Sequence, residues 1–554
     1  MISRLRLTVA LIVTSVLTAA CAAIPSSGQV ERVDDDGGLG QSTVRYTPAG
    51  PIPGASREQI MRGFLDAMLA YPVSHRVAAQ YLTAGAARSW RPNESTTVYS
   101  VAQPKTEGAS SWLELQLSSY LDEQGRLSPS SATERLEVDM VKQDGQWRIN
   151  TAPPGVLVSQ RWFDDYIRGF ELYFLDESGR RVVPVPVYEV VGDQLATSLM
   201  TSIAIGPKRA DPPGLSTAVG EAADLRSSVP IVDGVAEVEF STRVGELSAA
   251  KQRQLSAQIA WTLRQVPGVT GIQVTGDGTV VAPAGDAVQD ALGWASFGPD
   301  KSRRWVTAVV KNAVYQVHDL AVVPVSGPWG KNASGAALVT TGHDQVAAVW
   351  PDRARVTAAE DLKDTIEVGG DQFLRPVIDR EAAVWLVDSV GGRNRIRVVT
   401  GAGPRVLAEL PNYGLGRASS FAVSPDGSRY ALVVDHRLYL GGIDRRGGKP
   451  IGLTEPVRLK TGQRVTEVAW LESVTLGYLA DGVRQLQSVR IDGTGAIAAW
   501  PGGGQLLGEI EPVALFATAE PQPDVYLQDA AGGLWVLDRT RWVKVDLGKV
   551  SGIG

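Results

Sequence analysis

The stretch Phe421–Ser428, FAVSPDGS, determines the fold of the second half of the chain. Its first three residues are apolar and lead into a Ser-Pro-Asp-Gly turn at Ser424–Gly427. Two further apolar runs follow at short intervals, Tyr430–Val434 and Leu438–Leu440. Short apolar runs joined by such a turn are typical of adjacent antiparallel strands, and the turn often joins the first two strands of a propeller blade. We therefore interpret this stretch as part of one blade.

Units of the same design recur on both sides of that stretch. Blades repeat at roughly 40–45 residues, so the span from Leu292 to the C-terminus predicts an all-β propeller of about six blades over 292–554. An ordinary β-sandwich is the alternative, but the short strands are too numerous for one. The strand pairs and triplets that carry the repeat are Trp305–Val310 with Val314–Val317, Ala336–Thr340 with Val346–Trp350, Ala382–Val387 with Ile396–Val399, Val465–Leu471 with Leu476–Leu479 and Leu486–Ile491, and Val513–Ala517 with Val525–Leu527 and Leu534–Leu537.

The region before the propeller alternates helices and strands. Leu195–Ile205 is an apolar helix that ends at Gly206-Pro207. A hairpin turns at Asp233-Gly234. A second helix, Ser248–Val266, leads into the strand Val269–Val274. We predict an α+β domain over 160–283.

The first folded part, predicted over 46–159, begins with a helix at Ser56–Tyr71. Ser56 precedes Gln59 by three positions, the spacing of a capping box. A short second helix is predicted at Ala78–Leu82, and alternating strands follow, with a turn at Asp144-Gly145. Helices in front of a curled antiparallel sheet predict an α+β cone.

Residues 1–20 have the pattern of an export signal. Arg4 and Arg6 precede the uncharged run Leu7–Leu17, which is shorter than the roughly 20 apolar residues of a membrane-spanning helix. Cys21, the single cysteine, follows directly, so no internal disulfide is possible. Ser26–Ser42 is polar and carries Asp34–Asp36, so we predict a lipidated cysteine and a flexible linker over 21–45.

Composition excludes several classes of function. The net charge of −6 leaves no basic footprint for nucleic-acid binding. Four histidines, His75, His318, His343 and His436, lie far apart and have no metal-ligand spacing. We find no convergent acid–base set, so we predict no catalytic, cofactor-binding or metal residues. Tryptophans and arginines of the propeller (Trp350, Trp385, Arg393, Arg395 and Arg397) suit protein interfaces, although blade packing is the commoner role of such residues.

Three resemblances extend this interpretation. The segment Leu17–Cys21, LTAAC, resembles a bacterial lipobox, which implies a diacylglyceryl group on the sulfur of Cys21. The helix at Ser56–Tyr71, with AAQYLT at Ala78–Thr83 and QDGQWRI at Gln143–Ile149, resembles a cystatin-like, nuclear-transport-factor-type fold. The middle domain resembles the GerMN domain of sporulation and germination proteins, a module for assembly rather than catalysis. The stretches that carry the GerMN resemblance are LMTSIAIGP at Leu199–Pro207, VPIVDGVAEVEFS at Val229–Ser241 and QIAWTLRQVPGVTGIQVTGDG at Gln258–Gly278.

The order of lipobox, cone, GerMN domain and propeller resembles the actinobacterial LpqB lipoprotein family. That resemblance implies an accessory protein at the extracytoplasmic face of the cell membrane. Its implied partner is the extracytoplasmic domain of a sensor histidine kinase of the MtrA–MtrB type, which controls cell-wall homeostasis and division. The lipid anchor would confine the protein to the plane of the sensor and raise its effective concentration there.

Two other functions remain open at this point. A cell-wall hydrolase or lyase acting from the propeller would need clustered His, Asp or Glu residues at the channel mouth. A solute-binding receptor would use the cone pocket or the propeller channel.

Overall fold

The computed structural model describes residues 48–70, 75–219, 225–241, 244–283, 285–299, 305–360, 364–391, 393–495, 507–518, 524–539 and 541–554. The predicted signal peptide, the lipidation site Cys21 and the linker to residue 45 lie outside these ranges. The chain divides into two compact units, one made of residues up to Glu123 with Ser130–Tyr166, the other of Gln124–Pro129 with Ile167–Gly554. Within the described ranges, no helix has the length and apolar character needed to cross a bilayer.

The first unit packs one long helix, Arg57–Met68, against a mainly antiparallel sheet in which Val156–Ser159 pairs in parallel with Ser95–Glu107. The predicted capping box is confirmed, because the Ser56 side chain accepts from Gln59 N while the Gln59 side chain accepts from Ser56 N. Ile60, Met61 and Phe64 on this helix are buried. The other elements are the helices Arg76–Ala79, Ala84–Ser89 and Gln160–Tyr166 and the strands Ser95–Glu107, Ser110–Asp122, Thr133–Glu137, Met140–Gln143, Gln146–Ile149 and Val156–Ser159.

The predicted short helix at Ala78–Leu82 is wrong in its bounds. The helix begins at Arg76 and ends at Ala79. Tertiary pairing takes over beyond it, because Tyr81 O accepts from Ile149 N and Ile149 O accepts from Thr83 N, and Leu82 forms a parallel bridge to Ile149. The predicted turn at Asp144-Gly145 is confirmed, with positive φ at both residues.

The middle region, Ile167–Asp290, packs helices on one side of a mixed sheet. Leu195–Ile205 is a helix with the predicted bounds, and Ala249–Leu263 is the next helix along the chain. Their buried side chains join one core with strand residues such as Val238 and Ile272. The strands are Ile167–Leu175, Val182–Val190, Ile231–Val232, Val235–Phe240, Gly271–Gly276, Thr279–Val280 and Val288–Asp290, and one 3-10 turn spans Val244–Glu246.

In the described part of the chain the propeller contains six sheets, in agreement with the predicted number of blades. We number five blades along the chain and call the sixth the closing blade. Blade 1 has strands Leu338–Gly342, Gln345–Val349, Arg353–Ala358 and Ile366–Gly369, and blade 2 has Val377–Ile378, Val384–Val390, Arg393–Thr400 and Gly403–Glu409. Blade 3 has Ala418–Val423, Arg429–Val434, Arg437–Arg446, Lys449–Leu453 and Val457–Leu459. Blade 4 has Val465–Glu472, Thr475–Ala480 and Gln487–Arg490, and blade 5 has Pro512–Ala517, Val525–Asp529, Leu534–Asp538 and Arg541–Lys544.

The closing blade combines two distant parts of the chain. Val306–Val310, Ala313–His318 and Ala321–Pro324 form three of its strands, and Val550–Ile553 pairs antiparallel with the first of them. Separate apolar clusters fill the spaces between neighbouring blades, for example Trp385 of blade 2 with Tyr430 and Leu432 of blade 3. Burial between adjacent blades, repeated around the ring, therefore stabilises the propeller.

Candidate functional site: the propeller channel and the seam with the middle region

The central channel of the propeller is lined by an edge segment from each of its six sheets. A cavity of about 310 Å³ opens there. The residues that line it include Leu338, Phe373, Arg375, Ser420, Glu467, Val513 and Gly552. Because each of the six sheets contributes, this cavity is the axial space that the propeller fold creates.

A partly buried ion pair crosses the channel wall. Arg375 Nη2 lies 3.1 Å from Glu467 Oε2, and Arg375 Nη1 donates to Leu515 O at 2.8 Å. Ser420 Oγ also donates to the Glu467 carboxylate, at 3.2 Å. Burial raises the pKa of Glu467, and the positive charge of Arg375 opposes that rise. The charges of Arg375 and Glu467 thus compensate each other, so Glu467 is not a free acid or base.

A second cavity, of about 80 Å³, shares Arg375 and Phe421 with the first. It reaches the Ser424–Pro425 turn and is walled by aromatic rings, among them Phe516 and Trp470. The indole nitrogen of Trp470 is buried and has no hydrogen-bond partner among the described residues. The channel therefore consists of two cavities that meet at Arg375 and Phe421, and only the first of them has room for a small solute.

The Ser-Pro-Asp-Gly turn is held by its own aspartate. Asp426 Oδ1 accepts from Ser424 Oγ at 2.7 Å and from Ser428 N at 2.7 Å. Arg429, which follows this turn, is buried and lies 3.5 Å from Asp426 Oδ2. Arg429 Nη2 also donates to Pro184 O of the middle region at 3.1 Å. The predicted turn is confirmed, and it also joins two parts of the second unit.

A second aspartate organises the neighbouring blade in the same way. Asp379 Oδ2 accepts from Trp385 Nε1 at 2.8 Å and from Arg445 Nη2 at 2.7 Å. Arg445 donates in addition to the carbonyl oxygens of Gly427 and Gly448, at 2.8 and 2.9 Å. Blades 2 and 3 are therefore tied together at the face of the propeller that carries these turns.

The middle region binds this face through further polar contacts, which together with Arg429–Pro184 we call the seam. Arg490 of blade 4 lies 3.0 Å from Glu171. Tyr188 OH lies 3.0 Å from Asp492 Oδ2 and 2.9 Å from Thr494 Oγ1. Burial, followed by the charge of Asp492, raises the pKa of the Tyr188 hydroxyl well above its ordinary value.

The remaining seam contacts involve Glu177 and Glu381. Gly447 N donates to Glu177 Oε2 at 3.0 Å, and Arg181 pairs with Glu381. Charged and backbone groups from blades 2, 3 and 4 thus hold the middle region on the propeller. Hydrogen bonds to charged groups in partly buried settings are stronger than neutral ones, so the seam fixes the two parts as one body.

The arginines and tryptophans singled out in the sequence mostly have packing roles. Trp385 is fully buried, and Trp350 is buried as well. Arg395 and Arg397 pair with Asp388, at 2.7 and 2.9 Å. Arg393 alone of the five is exposed. Blade packing, the commoner role, is confirmed for the other four.

Two of the four histidines each have a carboxylate neighbour of their own. His318 lies 3.3 Å from Asp524, and His436 lies 3.6 Å from Asp481. Burial, the largest influence, lowers the pKa of His75. Among the described residues, no group of three or more His, Cys, Asp or Glu side chains is placed to hold a metal ion.

Sequence reasoning missed the aspartates that organise the blades, although a signal was present. Asp379 and Trp385 are six positions apart, and the same spacing recurs at Asp529 and Trp535. In both pairs the indole nitrogen donates to the carboxylate, at 2.8 and 2.7 Å. This spacing is visible in the amino-acid sequence alone. It spans the turn between the first and second strands in blade 2 and the turn between the second and third strands in blade 5, so in each case the aspartate holds a hairpin turn.

Known protein families match most of the chain. The family described as "Lipoprotein LpqB, N-terminal domain" matches residues 50–164, "Sporulation and spore germination" matches residues 171–282, and "Lipoprotein LpqB beta-propeller domain" matches residues 312–552. Lipoprotein LpqB of Cutibacterium acnes is 27% identical, with coverage of 87% of this chain and 88% of that protein. The proteins of the same name from Mycobacterium ulcerans and Mycobacterium bovis are also 27% identical, over 83% and 89% of this chain and 84% and 90% of theirs. With its three regions matched in order and relatives aligned along most of its length, the chain belongs to the lipoprotein LpqB family.

Proposed function

We propose that this lipoprotein is an accessory regulator of a sensor histidine kinase of the MtrA–MtrB type, and that it acts by binding the extracytoplasmic domain of the kinase. In this proposal, acyl chains on Cys21 hold it on the outer face of the cell membrane. Two acyl chains give durable anchoring, since each buried methylene contributes about 0.8 kcal/mol. Cell-wall homeostasis and division are the processes that such a regulator would influence.

The observation that carries the binding role is the seam. Glu171 and Glu177 of the middle region and Glu381 of the propeller form contacts that hold the middle region on the propeller. The middle region and the propeller therefore form one large body, and the charged side chains of the seam hold it together. Binding proteins need such a preformed surface, because a rigid surface loses little conformational entropy when its partner docks.

The same reasoning supports a role without catalysis. The carboxylates nearest the channel, Glu467 and Asp379, each have an arginine partner within 3.1 Å. A glycoside hydrolase would need two carboxyl groups facing a shared substrate, one of them able to donate a proton. The pairing of these carboxylates with arginines favours structural roles for them.

Solute binding in the channel is the second candidate. The two cavities and the buried indole nitrogen of Trp470 favour it. A receptor of this kind would still be a binding protein, so it differs from the first proposal in its ligand. Native mass spectrometry of the purified protein, which detects any small molecule retained in the channel, separates the two.

The regulatory proposal is tested by capture from native membranes. The lipidated protein and a Cys21→Ala form are used as baits, and the captured proteins are identified by mass spectrometry. We expect the lipidated bait to recover the sensor kinase and the Cys21→Ala bait to recover much less, because only the former is confined to the membrane.

Two results would count against the proposal. Recovery of wall fragments or a small molecule without any kinase would favour the hydrolase, lyase or receptor functions. Turnover of peptidoglycan by the purified protein would restore the enzyme hypothesis.

A reconstituted assay of kinase autophosphorylation, with and without the lipoprotein in the same vesicles, gives the direction of the regulatory effect.

A further inference from the structure

The sheet of the middle region has one covered side and one open side. Val235–Phe240 and Gly271–Gly276 are adjacent parallel strands, and Ala236, Val238 and Ile272 point into the core beneath the helices. The alternate residues of these strands point the other way. We call that second side, with the outward residues of the flanking strands, the open face.

Parallel strands in globular proteins are usually covered on both sides, because their crossover connections place helices there. Here the helices of the middle region lie in the core with the inward residues. Val232 and Val288, which flank the parallel pair, remain 50% and 47% exposed. The described residues leave the second side of this parallel pair uncovered, and valines are exposed on it. Such a surface is typical of one that binds a partner.

The valines of the open face form a continuous strip. Val232 pairs with Val235, and Val235 pairs with Gly271. A Cβ atom placed on Gly271 would lie 3.4 Å from Val288 Cγ1 and 3.6 Å from Val235 Cγ2. The side chains of Val235 and Val288 therefore cover the buried backbone of Gly271. Val232, Val235 and Val288 together form one apolar strip across the open face.

Acidic residues border this strip. Glu237 and Asp290 are exposed beside it. Arg226 lies between Glu239 and Asp277, at 3.3 and 3.2 Å, so its charge is already shared by two carboxylates. These five side chains leave a net negative charge at the border of the strip.

We propose that the open face is the docking surface for a partner protein, one whose contact surface is cationic and carries apolar side chains. The inference rests on the proposed function, in which that partner is the extracytoplasmic domain of the sensor. Charge complementarity identifies the occupant. An anionic membrane surface would be repelled by Glu237 and Asp290, and a second copy of the same face would meet its own charge. A basic surface with apolar side chains matches both the strip and its border.

The test uses the full-length lipidated protein in nanodiscs and the purified extracytoplasmic domain of the sensor. Two variants perturb the open face, Val232→Ser/Val288→Ser and Glu237→Lys. A matched control, Val406→Ser/Val457→Ser, changes two exposed valines of the propeller. We expect each open-face variant to weaken binding by about tenfold and the control to bind like the parent. Circular dichroism and melting temperature check that all variants fold.

The outcomes separate this inference from the proposed function. No binding by the parent protein defeats the proposed function, and with it the basis of this inference. Binding that is equal for the parent and both open-face variants leaves the proposed function intact and overturns the open face as the docking surface. Loss of vesicle binding or of self-association in the variants, with kinase binding unchanged, would assign the face to lipid or to a second copy and would likewise overturn the proposal.

Discussion

Arg429 offers the sharpest test of the seam. Its side chain is buried, lies 3.5 Å from Asp426 and donates to Pro184 O at 3.1 Å. Replacement by methionine keeps most of the apolar stem and removes the charge. The change leaves the carboxylate of Asp426 buried without its cation and leaves Pro184 O without that donor. Both losses are costly, because neither group regains water inside the folded protein.

The expected loss follows from these two effects. Removing one partner of a buried ion pair costs about 3–5 kcal/mol. Asp426 keeps its bonds from Ser424 Oγ and Ser428 N, which moderates the cost. We therefore expect Arg429→Met to lower the free energy of unfolding by about 3 kcal/mol. Urea unfolding followed by tryptophan fluorescence measures this difference, provided that the slopes of the compared curves agree.

Two further variants make the result interpretable. Arg437→Met, on the neighbouring strand, changes an exposed arginine and should shift stability by less than about 0.5 kcal/mol. The double variant Arg429→Met/Asp426→Asn should be less destabilised than the sum of its single changes, since no uncompensated charge remains. A loss below about 1 kcal/mol for Arg429→Met, or strict additivity in the double variant, would refute the assignment of a buried ion pair.

Three other changes test the channel, the middle region and the turn. Arg375→Met should destabilise the protein more at pH 8 than at pH 5, because Glu467, whose pKa burial already raises, must then hold its negative charge alone. Burial raises the pKa of Glu189 from 4.5 to about 7, so native stability falls as the pH rises through that window. Glu189→Gln should therefore be more stable than the parent at pH 8, by about 3 kcal/mol, with the advantage gone near pH 4 in pH-dependent urea melts. Gly427 has a φ of +74°, and a Cβ atom added there would lie 3.2 Å from Arg445 Nη2, so Gly427→Ala should cost about 1–2 kcal/mol. Gly401→Ala, with open space around the added methyl group, should be near neutral in the same melts.

The elements that the sequence predicted well are those that local chemistry determines. The helix Leu195–Ile205 has the predicted bounds because Gly206, at a φ of +92°, ends it. Asp144 and Asp233 each adopt a positive φ before a glycine, so the two turns predicted there are confirmed. Such signals act over a few residues and can be read without knowledge of the rest of the chain.

The seam and the channel could not be predicted in that way. Arg375 and Glu467 are 92 residues apart, Arg429 and Pro184 are 245 apart, and Arg490 and Glu171 are 319 apart. Periodicity identifies which side of a strand is buried, but it does not identify the partner of a charged residue across domains. The misplaced helix near Ala78 has a related cause, because pairing with Ile149 overrides local helix preference.

The closing blade has a consequence for how the chain reaches its folded state. Ser551 Oγ donates to Val309 O, 242 residues earlier in the chain, so the ring is joined by contacts between distant segments. Contacts of such long range form slowly, since the entropy of closing a large loop must be offset before they stabilise anything. Until Val550–Ile553 arrives, Val306–Val310 presents an unpaired strand edge, which is a template for aggregation. We expect a chain truncated before residue 550 to need chaperone protection, and a chain that contains Val550–Ile553 to become protease-resistant in one late step.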